Sequence, residues 1–315
     1  MNDVAPRVAW RGLLSGLVQG IGMRPAVARV ALELHLTGYV ENTAAGVVVW
    51  IEGSRESVAS FIDRLRSSLP PGARIDSWEG EWVTPAGGES FEIRSATNSS
   101  AIAAALTTSV PVDRRVCERC LDDVFRGDDR RRNYPFTSCT DCGPRYSIVR
   151  RMPYERDSTS MAPFQKCERC STEYANPEDR RFHAQTNACR DCGPRIEVTT
   201  TSTERREFPP ADEQTLEAAR ECLQRGGIVA LLSLGGFQFC VDATNEAAVR
   251  RLRDRKGRPA KPLAIAVENL AEAERWTMLD DHERAALTSP AGPIVLVRAR
   301  PDKRLAHSVH TGLEE

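Results

Sequence analysis

SGLVQGIGMRP, residues 15–25, sets three glycines, Gly16, Gly20 and Gly22, around a glutamine and an arginine and runs directly into AVARVALEL. Glycine gives up more backbone freedom on folding than any other residue, so this density marks a chain that turns tightly or lets something approach closely. Pro25 suits a first helical turn, and Val27, Val30, Ala31 and Leu34 form an i, i+3, i+4, i+7 stripe, which predicts a helix over 24–34. A glycine loop opening onto a helix N-terminus offers unpaired N–H groups and a positive dipole end to an anion, and Arg24 adds a forked cation. Two readings stand on the loop alone: an oxyanion cradle, or a glycine-rich turn with a surface arginine.

Outward from the loop, RVAWRGLLSG (7–16) reads as the strand that enters it. TGYVEN (37–42) and GVVVWIEG (46–53) read as two strands, SVASFIDRLRSSL (57–69) as an amphipathic helix, and ARIDSWEGEWV (73–83) with SFEIRSA (90–96) as two last strands. The order is β-α-β-β-α-β with an extra edge strand, a ferredoxin-like arrangement over residues 7–95. The fold by itself does not state a function.

The chain has 315 residues, more than one typical domain, which suggests two or three. Lys and Arg number 43 against 44 Asp and Glu, so no global charge argues for nucleic acid or an acidic membrane surface. No apolar run approaches a bilayer span, and MNDVAPRVAW lacks the order of a signal peptide, so a cytoplasmic protein without a membrane partner is expected. Ten cysteines in that compartment stay mostly reduced, which favours metal over disulfides.

Residues 96–112 are small, polar and Pro-terminated, as in a partly extended linker. After it come Cys117-x2-Cys120, Cys139-x2-Cys142, Cys167-x2-Cys170 and Cys189-x2-Cys192, and DCGPR occurs at 141–145 and again at 191–195. Adding fifty to the first four positions gives the last four, so the segment is an internal duplication, with repeats at 113–152 and 163–202. Each repeat spaces two C-x2-C knuckles by eighteen residues. Two knuckles complete a tetrahedral site with no open position, so the reading is two structural Zn2+ ions, each closed within its own repeat. Cross-braced pairing and C-x2-C redox chemistry are the rivals. His183 is a spare ligand or part of the packed loop. Zinc ribbons beside RRRNYPF (130–136) also raise a nucleic-acid module, but the basic runs are short, broken by acidic pairs and without sustained stacking aromatics, so nucleic-acid binding is not expected.

From residue 208 to 315 the pattern alternates again. DEQTLEAARECLQRGG (212–227) reads as a helix, IVALLSL (228–234) as a buried strand, GGF (235–237) as a turn, NEAAVRRLRDRKGR (245–258) as a helix and PLAIAV (262–267) as a strand, an α/β pattern. In isolation the basic run 253–261 reads as a solvated helix end complementing the dipole. Cys222 and Cys240 read as buried packing residues, and His35, His307 and His310 carry no assigned role.

GLVQGIGMR (16–24) resembles the acylphosphatase signature, and GYVEN (38–42) resembles that family's second motif. The resemblance implies that the backbone of Gln19, Gly20, Ile21, Gly22 and Met23 cradles a phosphate, that Arg24 holds its oxygens, and that Asn42 orients the attacking water. Met23 stands for the usual Phe and Ile21 for a usual Val, apolar changes that leave the cradle's backbone intact. YPFTSCTDCGPRYSI (134–148) and RRFHAQTNACRDCGPR (180–195) resemble the zinc repeats of HypF-type carbamoyltransferases, and GGFQFCVDATN (235–245) with RKGRPAKPLAIAV (255–267) resembles the YrdC-like nucleotide-binding domain.

Together these resemble the front of a HypF-type [NiFe] hydrogenase maturation factor, an α+β multidomain chain. The family implies hydrolysis of carbamoyl phosphate, adenylation of the carbamate by ATP with Mg2+ at a basic motif matching Lys256, Arg258 and Lys261, and transfer to a HypE-type acceptor. The chain stops before the family's Ser-x-Asn motif and lacks its transfer domain, and Thr186 replaces the Pro usual after HAQ. The expectation is a truncated chain with a working first domain and impaired adenylation and transfer; the alternative is a small stand-alone acylphosphatase.

Overall fold

A computed structural model describes residues 6–96, 108–127, 130–198, 212–233, 235–301 and 305–310. Most of the expected linker 96–112, and the ends of the two C-terminal segments at 199–211 and 311–315, lie outside the described residues. The chain forms two compact units, residues 1–194 and 195–315.

In the first unit the alternating pattern becomes β1 (Val8–Leu17), β2 (Thr37–Thr43), β3 (Gly46–Gly53), β4 (Arg74–Val83) and β5 (Phe91–Ile93), in the sheet order β4-β1-β3-β2-β5. β1 lies antiparallel between β3 and β4, β2 is antiparallel to β3, and β5 adds parallel to β2 as the extra edge strand. Helices α1 (Met23–Glu33) and α2 (Arg55–Ser67) supply the other half of the core. Val27, Ala31, Val58, Phe61 and Leu65 pack with Leu14, Val40, Val47, Val49 and Ile51, all fully buried. Ser54 caps α2 by accepting from the Ser57 N–H at 3.1 Å, the usual way a side-chain oxygen satisfies an orphan helix donor. This is the expected ferredoxin-like order, and because β1 and β2 run the same way it delivers the glycine loop and the end of β2 to one end of the sheet.

The cysteine repeats fold within the same unit. Each first knuckle opens a short helix, α3 (Glu118–Phe125) or α4 (Glu168–Ala175), with Cys117 or Cys167 at its N-cap.

The second unit contains α5 (Asp212–Gln224), the hairpin β6 (Val229–Ser233) with β7 (Gly236–Cys240), α6 (Glu246–Lys256), α7 (Leu270–Trp276), α8 (Asp281–Thr288) and a short ladder of β8 (Thr277–Met278) with β9 (Arg298–Ala299). Three expectations are corrected here. The strand in 228–234 forms but is not buried: it pairs with β7 alone among the described residues, and Leu231, Leu232, Phe237 and Phe239 are exposed. Residues 262–267 form no strand, with Ile265 and Val267 exposed. Cys222 and Cys240 are half-buried rather than buried. Apolar patterning reports what a segment would gain by burial; it does not supply the neighbour that buries it. No helix among the described residues is long and apolar enough to cross a membrane.

Phe61 is a central contact of the helix–sheet core. Phe61→Ala should destabilise the first unit by about 3–5 kcal/mol through lost transfer energy and a cavity, measured as a shift in its urea midpoint; a change within error would show that the core is organised around other contacts.

Candidate functional site

Between β1 and α1 the chain adopts two left-handed turns, at Gly20 (φ 69°) and Gly22 (φ 89°), the latter being the N-cap of α1. A Cβ at Gly22 would stand 2.8 Å from the Thr140 methyl, and one at Gly20 would stand 2.9 Å from Pro111 Cγ and 3.3 Å from the Tyr154 ring. Both conformation and space therefore require glycine. Among the described residues the N–H groups of Gly20, Ile21 and Gly22 have no acceptor, and those of Met23 and Arg24 occupy helical positions that have no intrahelical partner. The Ile21 and Met23 side chains are buried in the core, so only their backbone faces the loop's concave side.

Gln19 works through its side chain: Nε2 donates to the Thr43 and Gly46 carbonyls at 2.7 and 2.9 Å, and Oε1 accepts from the Tyr154 N–H at 2.9 Å. Asn42, at the end of β2, donates from Nδ2 to the Tyr154 carbonyl at 2.9 Å. Its Oδ1 is buried with no hydrogen-bond partner among the described residues. Arg24 is buried; its Nη1 donates to the Arg94 carbonyl at 3.4 Å, and its two terminal nitrogens grip Glu155, Nη2 to Oε2 at 3.1 Å. Arg24, Asn42, Gly20 and Gly22 line one pocket, and Gln19 braces its floor.

The opposite wall was missed by sequence reasoning, and it comes from the cysteine repeats, Thr140, Arg145, His183 and Gln185, and from Tyr154 in the segment between them. Arg145, in the first DCGPR, binds the Cys142, Pro144 and Thr140 carbonyls at 2.9, 2.8 and 2.7 Å and donates from Nε to the Gly20 carbonyl. It turns that carbonyl toward the repeat, which leaves the loop's N–H groups for the pocket. The recurrence of DCGPR was the available signal, but it marks Arg145 and Arg195 alike, and Arg195 is exposed. Tyr154 is buried and its hydroxyl has no partner among the described residues; burial raises its pKa.

The His183 ring lies tilted against Tyr174 and edge to face with Phe182, with centroids 4.5 and 4.8 Å away. Burial, Arg24 and Lys166 push its pKa down to about 4, so the ring is neutral at pH 7. Because the unfolded chain binds this proton first, the contribution to stability is present above the ordinary histidine value of about 6.5 and is lost as pH falls toward 4. A ring NMR titration should place the His183 midpoint near pH 4; a midpoint at or above 6.5 would contradict a desolvated ring beside Arg24.

The eight repeat cysteines fall into two sets, Cys117, Cys120, Cys139, Cys142 and Cys167, Cys170, Cys189, Cys192, with each set's sulfurs within 4.8 Å of one another. Neighbouring sulfurs stand 3.7–3.8 Å apart. That is the edge of a tetrahedron whose centre lies about 2.3 Å from each sulfur, a Zn–S bond length, and far longer than an S–S bond of about 2.05 Å. Both sets therefore fit zinc, paired within each repeat. In the first set, hydrogen bonding among the thiols pulls Cys142 down and pushes Cys120 up, the sign of protons shared within the cluster; a divalent cation would take the place of those protons. His183 belongs to neither set.

Each repeat charges the other's site. Arg180 of the second repeat donates to Cys120 Sγ at 2.8 Å and, with Arg181, pairs with Asp123. Fifty residues earlier, Arg130 and Arg131 reach Cys170 Sγ at 3.5 and 3.8 Å and pair with Glu173, whose carboxyl, although burial raises it, is held at about 2 by these arginines. The first two arginines of RRRNYPF are thus inward-facing hydrogen-bond and charge partners of a cysteine cluster and not part of a solvent-facing basic stripe. Outer-shell partners typically tune metal affinity by about 10–100-fold. Arg131→Ala should speed chelator extraction of zinc from the second cluster with little change at the first, and Arg180→Ala the reverse; equal effects on both clusters would remove the cross-charging account.

In the second unit, Lys256 ends α6, Gly257 (φ 59°) closes it, and Arg258 and Lys261 follow in one loop. Lys256 and Lys261 are exposed, and Arg258 is half-buried, donating to the Pro262 carbonyl at 2.7 Å. The buried Arg253 shapes this loop by donating to the Arg258 and Lys261 carbonyls at 2.8 and 3.0 Å.

Comparison with known proteins agrees with this division. The acylphosphatase family model matches residues 10–93, the HypF finger model residues 116–149 and 167–199, and the Sua5/YciO/YrdC model, described as telomere recombination, residues 221–315. An acylphosphatase of Anaeromyxobacter dehalogenans is 41% identical over 93 residues, which cover 99% of that protein and 29% of this chain. The carbamoyltransferase HypF2 of Cupriavidus necator is 46% identical over 286 residues, 90% of this chain and 35% of the relative. A crystal structure of full-length HypF in a phosphate- and nucleotide-bound form superposes with a TM-score of 0.86 at 34% identity, covering 98% of this chain and 39% of that one. The chain thus spans little more than a third of the length of these carbamoyltransferases, and by this ordered succession of matched regions it belongs to the HypF carbamoyltransferase family.

Proposed function

We propose that the first unit hydrolyses carbamoyl phosphate as the opening step of a carbamoyl transfer. The observation that carries this reading is the convergence, on one pocket, of unpaired loop N–H groups, the Arg24 guanidinium and the unpartnered Asn42 Oδ1. The N–H groups of residues 20–23 and Arg24 hold the phosphate oxygens, and Gln19 keeps the loop in shape. Asn42 Oδ1 accepts a hydrogen bond from a water and aims it at phosphorus. The water forms a new P–O bond, the P–O bond to the carbamoyl oxygen breaks, and carbamate and inorganic phosphate leave. An acyl phosphate is already activated, so placement and charge stabilisation suffice and no titrating base is needed. The neutral His183 and the apolar face of Tyr154 keep bulk water from labile carbamate.

In the same reading, residues 7–95 are the hydrolytic domain, 96–112 a linker, 113–152 and 163–202 structural zinc repeats, and 208–315 a nucleotide-binding region. Lys256, Arg258 and Lys261 offset the triphosphate of an ATP–Mg2+ substrate, on which carbamate attacks the α-phosphorus and releases pyrophosphate. The carbamoyl-adenylate then supplies a HypE-type acceptor in the cytoplasm. The family membership, the exposure of Lys256 and Lys261 and the place of Arg258 in the same loop support this second half.

Arg24→Ala and Asn42→Ala should each cut phosphate release from carbamoyl phosphate by about 10²–10³-fold, the scale for removing one preorganised charge-stabilising or positioning group, with zinc content and circular dichroism unchanged. Undiminished release in both would sink the site. Carbamoyl phosphate-dependent ATP–pyrophosphate exchange, followed in the same samples, separates a chain that also adenylates from a hydrolase alone.

A further inference from the structure

We infer that Glu155 is a displaceable carboxylate that competes with phosphate for Arg24 and so sets the affinity of the site for phosphate groups. The inference deepens the reading of Arg24 as the phosphate-holding residue. Glu155 meets Arg24 fork to fork, both terminal nitrogens of one against both oxygens of the other. A carboxylate and a phosphate satisfy a guanidinium with the same two-point geometry, so the two anions exclude each other at this position. Of the cradle's donors, the N–H groups of residues 20–22 have no acceptor among the described residues, whereas the Arg24 fork is engaged.

The pair is also built for exchange from one side. The Arg24 side chain is 7% exposed and that of Glu155 is 18% exposed, so Glu155 is the partner with a way out. Its backbone stays fixed while the side chain leaves: the Glu155 carbonyl accepts from the Ser158 N–H at 2.9 Å, and the preceding Tyr154 peptide is held by Gln19 and Asn42. Removing Glu155 without replacement would strand a buried cation, which is costly; an arriving phosphate supplies the replacement. The measured affinity is then the intrinsic affinity reduced by the fraction of molecules in which Arg24 is free of Glu155. Substrate and inorganic phosphate share that reduction because both present the same group to Arg24.

Calorimetric titration of the full chain with inorganic phosphate tests this in the parent, Glu155→Gln and Arg24→Ala. Glu155→Gln keeps the shape and removes the charge, and it should bind phosphate about tenfold more tightly, equivalent to about 1.4 kcal/mol. The KM for carbamoyl phosphate should fall by the same factor, with the gain in KM rather than in kcat, and Arg24→Ala should bind no phosphate. A folded, zinc-replete Glu155→Gln with unchanged or weaker phosphate affinity overturns the inference, as expected if the pair only holds the segment in place. Should that variant fold poorly, Glu155→Asp, which keeps the charge on a shorter arm, gives intermediate tightening, and parent-like affinity there overturns it too. If the parent hydrolyses carbamoyl phosphate and Glu155→Gln changes nothing, the competition fails and the site stands. If phosphate binding tightens in a chain without hydrolysis, the site's reaction fails and the competition stands.

Discussion

The backbone of one residue, Tyr154, ties the sheet domain to the cysteine module. Its N–H donates to Gln19 and its carbonyl accepts from Asn42, both at 2.9 Å and both buried. Leaving either this N–H or this carbonyl buried and unpaired would cost about 1–3 kcal/mol, a sizeable part of a domain's marginal stability. The two residues that satisfy them sit at the two halves of the cradle, one beside the glycine loop and one at the end of β2. The loop cannot open away from β2 without breaking one of these bonds, and the repeats cannot shift without breaking both. Arg145 adds a third tie, to the Gly20 carbonyl, from just after the second knuckle of the first repeat. The metal sites thus govern the cradle through geometry and not through ligation.

The duplication shows how one fold element is used twice and unequally. Asn133 and His183, fifty residues apart, are both left-handed, and their N–H groups bind the equivalent Val124 and Tyr174 carbonyls at 2.9 and 3.0 Å. Metal geometry and the arginine–carboxylate clamps repeat in the same way. The cross-charging makes each copy incomplete alone, because the cations that offset one thiolate set are carried by the other repeat. Thr186 also joins the copies by accepting from the Ser138 hydroxyl at 2.8 Å. What differs is the surface offered to the pocket: Thr140 and Arg145 from the first copy, His183 and Gln185 from the second.

Most of the fold was legible because its causes are local. Period-two and period-3.6 patterns, the capping serine at 54 and the C-x2-C knuckles each act over a few residues. Arg24 and Asn42 were legible as well, through the motifs that contain them. Tyr154 and Glu155 were not, since their partners lie more than a hundred residues away and nothing in MPYERDST marks a segment that meets the glycine loop. Arg130 and Arg131 read as surface charge, because a sequence does not show that a thiolate cluster from the other repeat will face them. β6 failed for the opposite reason: its apolar pattern was read correctly as a strand, but β7 beside it was not read at all, and burial depends on a neighbour that the pattern does not contain.

A cradle of converging N–H groups and a buried guanidinium is an electrostatic problem whenever no anion is bound. Water can satisfy the N–H groups, but Arg24 is too deeply placed for solvent to screen it well. A carboxylate from the same chain solves this, and it also limits how tightly the site holds any phosphate. For a hydrolase that limit carries little penalty. Binding that is equal for substrate, transition state and product lowers KM without speeding the chemical step, and very tight product binding slows turnover. In the proposed reaction Glu155 leaves Arg24 before substrate, transition state or product is held, so the competition lowers the affinity for all three equally and leaves the differences between them, which set the rate of the chemical step, unchanged. Weakening the grip on all three alike while leaving those differences intact is the economical arrangement, and the pairing of Glu155 with Arg24 alone among the cradle's donors has that form.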